Sequence, residues 1–130
     1  MKNYPVSPDL STPRGYSHVV TASGTMVFVA GQISMDRDGN IVGAGDLRAQ
    51  TTQVLENVKA ALAAAGATFG DVVKMNTYVV NLTPDALPII REVRTQYFPA
   101  ENPPASTLVG VTALAFEGLL IEVEVVAVLP

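Results

Sequence analysis

The stretch that most limits how this chain can fold is its last quarter, from Pro103 to Val128. Within it, Ile121-Glu122-Val123-Glu124-Val125 alternates strictly, so the valines and the glutamates must lie on opposite faces of a strand. Ala105 to Leu114 reads as a second strand, with Ala115 to Gly118 as the turn between them. The expectation is a terminal hairpin that completes a sheet, buries one face and offers the other to a cleft.

The remaining elements follow in order. Pro5, Pro8, Pro13 and Gly15 mark an irregular lead-in over residues 1–15. Tyr16 to Val20 alternates, and Met26 to Ala30 is a β-rich apolar run after the turn signal Ala22-Ser23-Gly24, which predicts a first hairpin. From Asp46 to Ala65, Leu47, Thr51, Val54, Leu55, Val58, Ala61, Leu62 and Ala65 form one helical stripe. Asp46 suits its N-cap and Gly66 its C-terminal stop. Val72 to Val80 reads as a strand with Val73, Met75, Thr77 and Val79 on one side. A second helix runs over roughly Pro84 to Phe98 with its regular part from Asp85, because Pro88 fits only a first turn. Its shared face is Leu87, Ile90, Val93, Arg94 and Tyr97, in which an arginine is out of place.

The order β-β-α-β-α-β-β predicts an α+β fold, one domain over residues 1–130 with one mixed sheet and both helices on a single face. The other sheet face then has no helix to cover it. With 48% apolar and 15% charged residues the chain is apolar for its size, so self-association is the simplest cover.

Absences narrow the chemistry. There is no cysteine and a single histidine, His18, which leaves no thiolate nucleophile, no usual triad and no ordinary zinc set. Gly43-Ala44-Gly45-Asp46 lacks the lysine of a phosphate loop. A net charge of −4 gives no attraction for a phosphate backbone, which argues against nucleic acid as a partner. The start of the chain lacks the ~7–15 apolar residues of a signal peptide. No run approaches the ~18 apolar residues of a membrane span. The expected location is the cytoplasm.

GYSHVV at 15–20, VFVAGQI at 27–33, AQTTQVLENVKAALAAAG at 49–66, DVVKMNTYVVNL at 71–82, PASTLVGVTAL at 104–114 and IEVEVVAV at 121–128 together resemble the Rid family. This is the reactive-intermediate deaminase family, also described as L-PSP endoribonuclease-like, and the likeness covers nearly the whole chain. It implies a chorismate-mutase-like fold, a homotrimer with clefts between subunits, and cofactor-free hydrolysis of imines and enamines such as 2-iminobutanoate. Carried over position by position, it implies Glu122 as the acid that holds the attacking water. It further implies Tyr16, Ala30, Gly31, Gln32, Ser106, Thr107 and Leu108 as substrate-binding positions.

Two departures matter. Where the family has a carboxylate-anchoring arginine, this chain has Ser106, and where it has an asparagine on the second helix, this chain has Arg91. A hydroxyl cannot replace the two parallel charge-assisted bonds of a guanidinium. The substrate implied is therefore not 2-iminobutanoate, and Arg91 or Arg14 is the candidate replacement anchor. The surface alternative pairs Arg91 with Glu92 or Asp85, and Arg94 with Glu101. Three functions stay open: a cofactor-independent C–N hydrolase, a non-catalytic trimeric binding protein for small molecules, and an endoribonuclease. Glu124 and His18 read as a solvated carboxylate and a lone surface histidine.

Overall fold

Strand β6, Ile121–Leu129, forms where the alternation places it. Ile121, Val123, Val125 and Ala127 are buried, and Glu122, Glu124 and Val126 are half-exposed. The computed structural model describes residues 1–130, and before β6 come β1 (Lys2–Asn3), β2 (Thr21–Ala22), β3 (Thr25–Ile33), α1 (Leu47–Ala64), β4 (Val72–Val80), α2 (Ala86–Arg94) and β5 (Ala105–Val111). The main sheet is mixed, with strand order β3-β6-β4-β5. β6 runs antiparallel to both neighbours, whereas β4 and β5 are parallel.

The terminal hairpin therefore does not form: β4 lies between β5 and β6. Parallel neighbours need a crossover, and α2 supplies it between β4 and β5. The segment 112–120 then carries the chain across β4 to its far side.

The first hairpin also differs from expectation. Residues 16–20 make no strand beyond one parallel bridge between Ser17 and Ala105. Instead Lys2–Asn3, inside the expected lead-in, pairs with Thr21–Ala22. The hydrogen bonds of Ser17 explain the exchange: its N–H donates to Pro104 O at 3.1 Å and its hydroxyl to Pro103 O at 2.6 Å. That segment is held against the start of β5 and is not free to pair with β3.

Helix α1 follows the sequence closely. The Asp46 carboxylate accepts from Ala49 N at 3.0 Å, and Gly66 takes φ +76° to end the helix. Its core stripe is Gln50, Thr51, Val54, Leu55, Val58 and Leu62, while Ala65 is exposed. Helix α2 begins at Ala86 with Pro88 in the first turn, and buries Ala86, Ile90 and Val93. In β4 an irregularity between Val72 and Lys74 shifts the phase, so Val72 is buried where Val73 was expected.

Both helices pack on the sheet face of Met75, Val79, Val123 and Val125, and these residues share one core cluster. No helix covers the other face. It exposes Phe28, Met26 and Val109 beside a polar row, in which Lys74 donates to Thr107 at 2.9 Å. No helix is long and apolar enough to cross a membrane.

Candidate functional site

β4–β5 register decides which residues of the PAST segment reach the helices. Ser106 pairs with Met75 and Leu108 with Thr77, both core-facing, so Ser106 and Leu108 point to the helix side at the sheet edge. Thr107 pairs with Asn76 and faces the open side. Beyond Ser106 lies a cavity of about 440 Å³, closed by α2 and by residues 14–16.

Helix α2 contributes its second stripe. Leu87, Arg91, Arg94 and Phe98 recur at four, three and four residues, and all four line the cavity. The face expected to hold Leu87, Ile90, Val93, Arg94 and Tyr97 together is thus two faces, one on the core and one on the cavity. The Ser17 clamp on Pro103 and Pro104 brings Arg14, Gly15 and Tyr16 to the opposite wall. Tyr16 in turn meets the ring of His18 edge-on, with centroids 5.2 Å apart. His18 Nε2 lies 2.8 Å from Ser11 O, and since a carbonyl can only accept, that nitrogen carries the proton.

The electrostatics are one-sided. Arg14, Arg91 and Arg94 line the cavity, and no carboxylate does. Arg94 donates to Gly15 O at 2.9 Å and lies over the Phe98 ring at 5.7 Å. Burial, and then the charge of Arg91, lower its pKa from the ordinary arginine value. The surface pairings considered for these arginines do not form: the one ion pair in the chain joins Arg48 to Glu92 at 2.7 Å. Arg91 and Arg14 have no acidic partner.

Glu122 stands elsewhere. It pairs with Tyr78 in the register of β4 and β6 and so lies on the open face, across the sheet from Ser106. At the bulge in β3, Ala30 and Gly31 together oppose Glu124. A side chain on Gly31 would sit 1.9 Å from Glu122 Oε2, so the bare backbone there makes room for the carboxylate. Gln32 donates to Ala30 O at 3.0 Å. Glu124 is not simply solvated: it accepts from Tyr78 at 2.5 Å and from Asn76 at 3.1 Å, which lower its pKa in that order.

Within one copy, the structure thus brings Tyr16, Arg91, Ser106 and Leu108 together, and keeps Ala30, Gly31, Gln32, Thr107 and Glu122 apart from them. Leu87 and Phe98 were not anticipated as cavity residues, although their spacing with Arg91 carried the signal.

Fold and cavity define a class: an α+β domain with a half-covered mixed sheet and a small cleft suited to an anionic molecule. The chain belongs to the endoribonuclease L-PSP family, whose model matches residues 8–129, and with it to the Rid proteins. It is 40% identical over 112 residues to a RutC family protein of Pyrococcus horikoshii, covering 86% of this chain and 85% of that one. It is 34% identical over 125 residues to a 2-iminobutanoate/2-iminopropanoate deaminase of Dermatophagoides farinae, covering 96% and 92%. The crystal structure of the Rid family protein YyfB from Yersinia pestis superposes with a TM-score of 0.90 at 41% identity, over 98% of each chain.

Proposed function

We propose that this protein hydrolyses a small, carboxylate-bearing imine or enamine to the corresponding ketone and ammonia. The observation that carries the reading is the acid-free cavity in which Arg14, Arg91 and Arg94 meet Tyr16 and Ser106. Such a set holds an anion and excludes a cationic ligand.

In the proposed reaction the substrate carboxylate is gripped from α2, since Ser106 offers only a hydroxyl. Glu122 accepts a proton from water as the oxygen adds to the C=N carbon. The nitrogen takes up protons, the tetrahedral adduct collapses, and ammonia leaves while the carbonyl forms. One water is consumed per ammonia, and no electrons are transferred. Because Glu122 and the cavity lie on opposite faces of one sheet, Glu122 serves the cavity of a second copy, and a closed trimer is the assembly proposed. The deaminase named among the relatives supports this chemistry.

A second reading, a trimeric binding protein without turnover, is favoured by Ser106 itself. Ammonia release from freshly generated imino acids separates the two. Hydrolysis at a rate above the spontaneous one, lost in Glu122→Gln, is the expected result; identical rates with and without protein leave the binding reading. An RNA-cleaving activity, named by the family model, fits poorly with a net charge of −4 and would show as digestion that survives high purification.

A further inference from the structure

We infer that the cavity takes a ligand with two separated carboxylates, so that the substrate class is the imine of a dicarboxylic keto acid. This rests on the reading that the cavity is the substrate site. A single carboxylate takes one guanidinium fork through two parallel bonds and carries one negative charge. Here three guanidiniums line one cavity without any acid among the lining residues. Arg94 is held in place by Gly15 O and the Phe98 ring, whereas Arg91 and Arg14 have no partner in the protein. In the assembled site the Glu122 of a second copy sets one negative charge against the three guanidiniums, which leaves two positive charges. One ligand carboxylate then leaves a cation without a counter-charge in a partly enclosed space, and two carboxylates leave none.

The walls fit the same ligand. Arg91 and Arg94 lie on α2, and Arg14 lies on the segment that meets α2 at the Arg94–Gly15 bond, so the cations come from two elements of the wall. Leu87, Phe98 and Leu108 give apolar surface for a short methylene chain. The volume, about 440 Å³, lies within the range of roughly 300–1,000 Å³ typical of small-molecule sites. Moving the anchor from the strand position Ser106 to the helix position Arg91 thus alters the ligand and does not merely restore the lost arginine.

Calorimetric titration of the full-length protein with 2-oxoglutarate and with 2-oxobutanoate at one ionic strength tests this without requiring turnover. The two-acid probe should bind at least about tenfold more tightly, the scale of one additional charge-assisted pair. Arg91→Gln should reduce that preference to about twofold or less, and Lys59→Gln, exposed on α1 and outside the cavity lining, should leave it intact. Circular dichroism confirms that the exposed substitutions keep the fold. Equal affinity for the two acids, no binding of 2-oxoglutarate, or a preference unchanged in both Arg91→Gln and Arg14→Gln overturns the inference. Diacid binding by protein that releases no ammonia from any imine sustains it and instead removes the hydrolytic reading.

Discussion

Thr77 carries the one buried side-chain oxygen without a partner in this structure, set between Met75 and Val79 on the core face of β4. Replacing it with valine keeps the shape and removes an unpaid desolvation, so Thr77→Val should stabilise the fold by about 1 kcal/mol. Thermal melts would show this as a rise of a few degrees; a fall would mean that the hydroxyl has a partner in solution. On the opposite face, Tyr78 and Glu124 share a short bond that lowers the carboxyl pKa and raises the phenol's. A depressed carboxylate contributes stability above its ordinary value of 4.5 and loses it as pH falls through the lower folded value. A raised phenol contributes below its ordinary value of 10.0 and loses it as pH rises through the higher folded one. Tyr78→Phe should therefore lower Tm most in the window between these limits, and least below it. A deficit constant from pH 2 to pH 8 would refute the assignment. A third residue-scale outcome concerns Gly31, where an added Cβ meets the mobile end of Glu122 rather than backbone. Under the proposed hydrolysis, Gly31→Ala should keep the fold while cutting ammonia release about a hundredfold, the usual effect of an ångström-scale displacement of a reacting group.

Gln50 shows how one side chain can hold two elements together. It is fully buried on α1; its amide donates to Gly43 O at 3.1 Å and Gly118 O at 2.8 Å, and its carbonyl accepts from Leu120 N at 2.8 Å. The segment 112–120 that crosses β4 is thereby fixed to the helix. Gln50→Leu keeps the volume but orphans three backbone groups, and should cost about 2–4 kcal/mol in urea denaturation. A loss under about 1 kcal/mol would mean that water replaces the amide. The sequence announced α1, β4 and β6 because their periodicity and caps act locally. It did not announce that β5 and β6 are separated, since pairing depends on which edge the α2 crossover reaches, and nothing in either strand encodes that. The same limit applied to residues 16–20, whose alternation suits a strand but whose Ser17 is captured by Pro103 and Pro104, distant in sequence. Of the cavity, Arg91 was legible as a substitution and Arg94 as an arginine out of place. The stripe through Leu87 and Phe98 became visible only once α2 was seen to have two buried-side neighbours, core and cavity.

For the whole molecule, the separation of Glu122 from Arg91 across the sheet makes the proposed hydrolysis testable by mixing chains. If the active centre combines Arg91 of one copy with Glu122 of another, then Arg91→Gln and Glu122→Gln are defects in different halves of the same site. Each variant alone should release ammonia at the spontaneous rate. Mixed by unfolding and refolding together in equal amounts, the chains assort freely. A site is then intact when the copy giving the arginine is the Glu122 variant and the copy giving the glutamate is the Arg91 variant. Each condition holds for about half of the copies, so about a quarter of wild-type activity should return. Chains bearing both substitutions, mixed with wild type as a control, should give no such gain over dilution. In the proposed assembly, recovery also requires contact through the uncovered face, where Phe28 is 73% exposed. Phe28→Asp places a charge in that contact, so it should shift the light-scattering mass towards the monomer and abolish the recovery together with the activity. A monomeric Phe28→Asp protein that retains full turnover would show that Glu122 acts within its own chain or not at all, and the opposed faces of the sheet make the first of these impossible without refolding.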